Sequence, residues 1–149
     1  MMVIINGHNF KRNTVIEIGK FAILWNLFEN NNCRNDCRPE ILVEIGNGQE
    51  TSEAFQLFAR ALKNRAELFN VDYFGYVQNH LAMGRGLNPQ QKDLVFAFMN
   101  SGGMGSVAGG LLALYRIRNN MFHGLKEWSD LDNQIELFLS MNKVLEEIL

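Results

Sequence analysis

Long apolar runs and prolines are scarce in this sequence. No stretch approaches the roughly eighteen apolar positions that a membrane-spanning helix needs, and no basic segment followed by a long apolar run opens the chain, so we expect a soluble, cytoplasmic protein. Only two prolines interrupt 149 residues, of which 47% are hydrophobic and 20% charged. This composition is typical of a folded protein that is mainly helical.

An excess of positive charge is also absent. The formal net charge is −2, which argues against binding of nucleic acid over a broad basic face, because such binding depends on displacing counterions from many phosphates. A smaller basic groove remains open to Arg116, Arg118, His123 and Lys126, which lie close together in the sequence. The alternative for Arg116 and Lys126 is a solvated helix face.

Cysteine is limited to Cys33 and Cys37, in a polar stretch. A single pair without a nearby histidine is weak evidence for zinc, and a disulfide would need an oxidising compartment. We therefore expect two free thiols and no metal site.

Apolar residues recur at helical spacing through most of the chain. The pattern predicts helices at residues 13–29, 51–69, 88–99 and 130–149, one from 104–106 to 122 or 123, a short helix within 71–81, and either strand or helix at 39–45. Residues 1–5 read as a small strand or an ordered arm. We expect one all-α domain over residues 1–149, an up-and-down bundle of four to six helices with at most a minor N-terminal β element.

Local signals place the ends of several helices. Thr14 and Glu17 form a capping-box pattern, Asn88 and Ser129 stand where N-caps belong, and Gly124 is placed as a C-terminal stop. In the helix at 51–69, one apolar stripe contrasts with three basic residues that we expect to be exposed: Arg60, Lys63 and Arg65.

The strongest candidate for a site lies late in the penultimate helix, where Arg118, Asn119 and His123 follow one another. An arginine can hold a phosphate through a planar fork of donors, and histidine exchanges protons near neutral pH. Arg118 and His123 lie about 140° apart around a helix and could flank a ligand, whereas Asn119 and His123 share a face. The alternative is an arginine and a histidine that complement the helix dipole.

One histidine cannot act as base and acid in the same concerted phosphoryl transfer. A twofold homodimer that paired this helix with its own copy would supply two Arg118 and two His123 in one cleft.

The string from Tyr115 to Lys126 resembles the signature of the HEPN superfamily, in which an arginine, a polar residue, a short spacer and a histidine end one helix of an all-α bundle. Arg118 and His123 match the Arg-x4-His pattern and Asn119 matches the polar position. The segment from Lys20 to Phe28 is similar to the first helix of bacterial members.

This resemblance implies a metal-independent endoribonuclease without cofactor, working as a homodimer in a toxin-antitoxin or phage-defence setting. His123 would be general acid or base, Arg118 would hold the scissile phosphate, and Asn119 would orient the pair. Cleavage would leave a 2′,3′-cyclic phosphate and spare DNA, which lacks the 2′-hydroxyl. Further RNA contacts are expected from nearby side chains: Arg116, Asn120, Lys126 and Trp128.

The resemblance leaves two points open. Members restrained by a nucleotidyltransferase antitoxin often carry a tyrosine two residues after the histidine, and here that residue is Leu125. A partner protein of another kind remains open. Other members bind nucleotide or RNA without cutting it, so the competing hypothesis is a non-catalytic binding or regulatory module.

A glycine-rich run offers a second motif, since residues 103–108 satisfy GxGxxA. A dinucleotide site needs a strand before these glycines, and the preceding segment reads as helix. We expect a tight turn and a closely packed helix start instead.

Overall fold

The computed structural model describes residues 1–82, 86–122 and 128–149, apart from the side chains of Phe122, Trp128 and Ser129. The strands are β1 (Met2–Ile5) and β2 (His8–Lys11), and the helices are α1 (Arg12–Asn32), α2 (Pro39–Gly46), α3 (Glu53–Leu68), α4 (Tyr73–Tyr76), α5 (Pro89–Asn100), α6 (Val107–Phe122) and α7 (Ile135–Ile148). A π-helical turn spans Val77–Leu81 and a 3₁₀ segment spans Trp128–Gln134. The prediction of a mainly helical protein with a minor β element is confirmed.

The N-terminal run is a strand. β1 and β2 form an antiparallel hairpin in which Ile5 pairs with His8, and the turn between them is Asn6 and Gly7. Both turn residues have left-handed φ values, 49° and 81°, which asparagine and glycine accept at the least cost. The backbone amide of Lys11 then donates to the Asp132 carboxylate, which ties the hairpin to the 3₁₀ segment.

The first helix begins earlier than its sequence signal suggested. β2 runs directly into α1, so Lys11 is the N-cap residue and Thr14 lies in the first turn with 0% exposure. The predicted capping box of Thr14 and Glu17 is therefore wrong. At α5 the prediction is confirmed, since Asn88 caps the helix and forms a full capping box with Gln91. At 39–45 the structure shows helix α2, whose first position is Pro39, where the missing N–H costs nothing.

Two helices form the centre of the fold. α6 packs against α2 and α5, and α7 packs against α1 and α3. The side chains that they bury join one hydrophobic core, with members such as Leu111, Leu114 and Ile117 from α6 and Phe138 and Met141 from α7. Among the described helices, none is long and apolar enough to cross a membrane.

Two glycines allow the neighbours of α6 to approach closely. A Cβ atom on Gly46 of α2 would lie 2.5 Å from the backbone of Ala108, and one on Gly109 would lie 2.2 Å from the carbonyl oxygen of Leu94 in α5. Neither distance is sterically allowed for a carbon atom. The contacts of α6 with α2 and α5 therefore depend on glycine at these positions.

The last helix starts later than predicted. α7 begins at Ile135 with Gln134 as its N-cap residue, so the predicted cap at Ser129 is wrong. The preceding residues form the 3₁₀ segment, in which Asp130 makes both tertiary and local contacts. Its carboxylate accepts from Arg65 of α3 at 2.7 Å and from Gln134 at 3.1 Å. Arg65 is only 8% exposed, so the expectation that it faces solvent is also wrong.

Candidate functional site

The polar residues near the end of α6 point in two directions. Successive residues of an α-helix are rotated by about 100°, so Arg116 and Asn120 share one face while Arg118 lies on the far side. Arg116 and Asn120 are 5% and 8% exposed, whereas Arg118 and Asn119 are half-buried. The helix thus separates these four polar residues into an internal pair, Arg116 and Asn120, and a surface pair, Arg118 and Asn119.

The internal pair is bonded to the backbone of the π-helical turn. The Arg116 guanidinium donates from Nε to the carbonyl oxygen of Leu81 at 2.7 Å and from Nη2 to Oδ1 of Asn120 at 3.2 Å. Asn120 donates to the carbonyl oxygen of His80 at 3.2 Å. Burial lowers the pKa of Arg116 below its ordinary value, and the nearby Tyr115 opposes that shift.

These contacts correct the sequence interpretation of both residues. Arg116 does not lie on a solvated helix face, and the contacts of Arg116 and Asn120 hold α6 against the π-helical turn. A buried polar group is costly unless it is hydrogen-bonded, so the pair has a structural role that needs no ligand. We therefore leave both out of the proposed set of RNA contacts.

The surface pair lines a cavity. Arg118 donates from Nη1 to Oδ1 of its neighbour Asn119 at 3.0 Å, and both side chains border a space of about 290 Å³. We call this space the α6 cavity. The other residues around it come from α1, from the segment that joins α1 to α2, and from α6 itself: Trp25, Glu29, Asn35, Asp36, Cys37, Arg38 and Tyr115.

Charges of both signs border the α6 cavity. Arg118 and Arg38 are basic, and Glu29 and Asp36 are acidic. Asp36 forms an ion pair with Arg38 at 2.9 Å in an exposed position. Within the described part of the chain, Glu29 has no such basic partner, and its Oε2 instead accepts a hydrogen bond from Nε1 of the buried Trp25 at 2.9 Å.

Cys37, which borders the α6 cavity, is part of a disulfide. Cys33 and Cys37 are bonded to each other with their Cα atoms 5.1 Å apart, so the expectation of two free thiols is wrong. Arg34 and Asn35 have left-handed φ values of 52° and 67°, and this turn brings the two cysteines together. The signal available in the sequence was the separation of four residues within a polar stretch between two helices, but that spacing alone does not fix such a turn.

Several predicted residues lie outside the described part of the chain. His123 and Lys126 are among them, as is Gly124, which was expected to end α6. Trp128 begins the 3₁₀ segment, and its side chain is also outside the description. Of the predicted catalytic residues, the structure therefore places Arg118 and Asn119, and it places them in one cavity.

The glycine-rich run is a turn that leads into α6, as expected. Gly103 has a left-handed φ of 87°, and α6 starts at Val107 after Ser106, whose hydroxyl accepts from the amide of Gly109 at 3.0 Å. The segment before this turn is helix α5, not a strand. The requirement for a dinucleotide-binding motif is therefore not met.

A polar cluster that the sequence did not reveal lies between α3, α4 and the 3₁₀ segment. Arg65 bonds Asp130, and the ring of Tyr76 packs beside them. Burial raises the pKa of Tyr76 to about 12, with Arg65 acting in the opposite direction. His80 stacks on Phe69 at 4.3 Å between ring centroids.

Among the described residues, no three His, Cys, Asp or Glu side chains are grouped so that they could hold a metal ion. Comparison of the chain with protein-family models, with curated proteins and with solved structures found no match.

Proposed function

We propose that this protein is a metal-independent endoribonuclease of the HEPN type, that it acts as a homodimer, and that it serves as a toxin or phage-defence effector under the control of a partner protein. The mainly helical fold, in which Arg118 and Asn119 of the signature fall on the last turns of α6, is compatible with a HEPN-like bundle.

One observation carries the proposal. Of four neighbouring polar residues on α6, Arg118 and Asn119 border the α6 cavity, while Arg116 and Asn120 are used inside the protein. The two that reach the surface are the ones that match the Arg-polar positions of the signature.

The chemistry follows from these side chains and from His123. The Arg118 guanidinium would hold the scissile phosphodiester and stabilise the additional negative charge of the transition state. Asn119 accepts from Nη1 and so fixes the orientation of the guanidinium. His123 would transfer a proton to or from the reacting oxygens. The ribose 2′-oxygen attacks phosphorus, the bond to the 5′-oxygen breaks, and the products are a 2′,3′-cyclic phosphate and a 5′-hydroxyl.

The decisive experiment is cleavage of an end-labelled RNA and of its 2′-deoxy counterpart in excess EDTA, by the wild type and by His123→Ala. We expect only the wild type to cut, only RNA to be cut, and the new ends to be cyclic phosphates. The oligomeric state is measured on the same sample by light scattering, where a monomer that cuts RNA would contradict the dimer.

The competing hypothesis is an outcome of the same experiment. If the wild type retains the RNA in a gel-shift assay but leaves it intact, the protein is a binding or regulatory module and not a nuclease. If it neither binds nor cuts, both forms of the proposal fail.

A further inference from the structure

Glu29 is a carboxylate held in the α6 cavity together with Arg118 and Asn119. It lies on α1, one helical turn after Trp25, whose indole Nε1 donates to Oε2 at 2.9 Å. Trp25 is 3% exposed and packed in the core, so the indole cannot move freely and the carboxylate is fixed in turn. Among the described residues no other group bonds the side chain of Glu29, so Oε1 is available to a ligand in the cavity.

The proposed reaction needs two proton transfers. The 2′-hydroxyl must lose a proton as its oxygen attacks phosphorus, and the leaving 5′-oxygen must gain one. A single histidine cannot do both in one concerted step. The signature accounts for one such group in each chain, His123. In the homodimer a second His123 would come from the other protomer, whereas Glu29 borders the same cavity as Arg118 and Asn119 of its own chain.

We propose that Glu29 is the general base that accepts the proton of the ribose 2′-hydroxyl. This inference rests on the proposed function. The proton of the hydroxyl passes to Glu29, the 2′-oxygen forms its bond to phosphorus, and the bond from phosphorus to the 5′-oxygen breaks as that oxygen takes a proton from His123. Atoms and charges balance without a metal ion or an added reagent, and each protomer then contains a base, an acid and an arginine.

The second carboxylate of the cavity serves as the comparison. Asp36 is exposed and already paired with Arg38 at 2.9 Å, whereas Glu29 is half-buried and has an indole as its partner. Replacing either carboxylate with its amide changes the charge of the cavity by the same amount. If the carboxylates act only through their charge on phosphate binding, both variants should therefore be affected. If Glu29 is the general base, only Glu29→Gln should lose activity.

The test compares two substrates in excess EDTA. One is an ordinary RNA dinucleotide, whose leaving alkoxide needs an acid, and the other is uridine 3′-(para-nitrophenyl phosphate), whose leaving group departs without a proton. The enzymes are the wild type, Glu29→Gln, Asp36→Asn and His123→Ala. Glu29→Gln keeps an oxygen that can accept from Trp25, so the fold should persist, and thermal unfolding of each variant verifies this. Glu29→Asp, which keeps a carboxylate set back by one methylene, is the second variant.

We expect Glu29→Gln to lose about 100-fold or more in rate on both substrates, the range found for general bases. His123→Ala should lose as much on the dinucleotide and recover most of it on the activated substrate. Asp36→Asn should remain within a few fold of the wild type, and Glu29→Asp should be intermediate.

Other outcomes overturn the inference. Equal losses of cleavage rate in Glu29→Gln and Asp36→Asn would show that the two carboxylates act only through their charge. Recovery of Glu29→Gln, and not of His123→Ala, on the activated substrate would make Glu29 the acid. These results differ from failure of the proposed function, in which the wild type itself cleaves neither substrate.

Discussion

Arg116 and Arg118 are two positions apart on α6 and their guanidinium groups have different surroundings. Arg116 is 5% exposed and donates to the carbonyl oxygen of Leu81 at 2.7 Å, whereas Arg118 borders the α6 cavity and donates to Asn119 at 3.0 Å. Two steps along a helix turn a side chain by about 200°, which places the two groups on opposite faces. One arginine supports the fold and the other faces the candidate site.

Replacing each arginine with methionine should therefore affect a different property: the stability of the fold for Arg116 and the rate of RNA cleavage for Arg118. Arg116→Met leaves the Leu81 carbonyl and Asn120 without their donor, and we expect the free energy of unfolding to fall by about 2 to 3 kcal/mol. Arg118→Met should change it by about 0.5 kcal/mol or less and should lower RNA cleavage about 100- to 1,000-fold. Urea unfolding and cleavage rates measure the two effects.

The exposed Arg60 of α3 provides the control for loss of one positive charge. Arg60→Met should leave both quantities close to wild type. Equal destabilisation by the Arg116 and Arg118 variants would contradict the division of roles described above.

Alkaline pH should destabilise the protein through Tyr76. Burial raises the pKa of Tyr76 to about 12 from its ordinary value of 10.0, so the stabilisation is complete below pH 10 and is lost as the pH rises through 12. At pH 11 the unfolded chain has mostly released this proton and the folded protein has not. The expected loss relative to pH 9 is about 1.4 kcal/mol. Tyr76→Phe should lack this component, and an identical pH dependence in variant and wild type would contradict the assignment.

Removal of the disulfide should destabilise the fold by a small amount. The bond joins residues with a sequence separation of 4. By restricting the unfolded chain, a bond across so short a loop raises the free energy of unfolding by about 2 kcal/mol. We expect Cys33→Ala/Cys37→Ala to unfold at correspondingly lower urea concentration. A reducing agent should have the same effect on the wild type and none on the double variant. Sensitivity of the double variant to reductant would show that the effect has another origin.

Two glycines in helices should respond oppositely to alanine. A Cβ at Gly109 of α6 would lie 2.2 Å from the carbonyl oxygen of Leu94, so Gly109→Ala should destabilise the protein by about 1 to 3 kcal/mol. A Cβ at the exposed Gly19 of α1 would meet nothing within 4 Å, and Gly19→Ala should stabilise by about 0.5 to 1 kcal/mol through helix propensity. Thermal unfolding of both variants tests the prediction, which fails if the two shifts have the same sign.

The helices themselves could be predicted because their signals are local. Apolar residues at helical spacing located α1, α3, α5, α6 and α7 within a few residues, and Asn88 was correctly identified as the cap of α5. Periodicity and capping depend on residues within one or two turns of each other, so the sequence contains them in full. The residues that form the candidate site on α6 were likewise visible as a cluster.

What each polar side chain does was decided by tertiary structure. Arg65 belongs to the polar face of α3 in the sequence, yet it is buried because Asp130 reaches it from a distant segment. Cys33 and Cys37 meet through a left-handed turn that no spacing rule required.

The sequence by itself determined the helical fold class and the position of the Arg-Asn pair on α6. Only the tertiary packing decided that Arg118 borders a cavity, that Arg116 does not, and that Glu29 of α1 borders the same cavity as the pair. Glu29 is far from Arg118 along the chain, and contacts over such separations arise from the burial of apolar surface by whole helices, which local patterns do not encode.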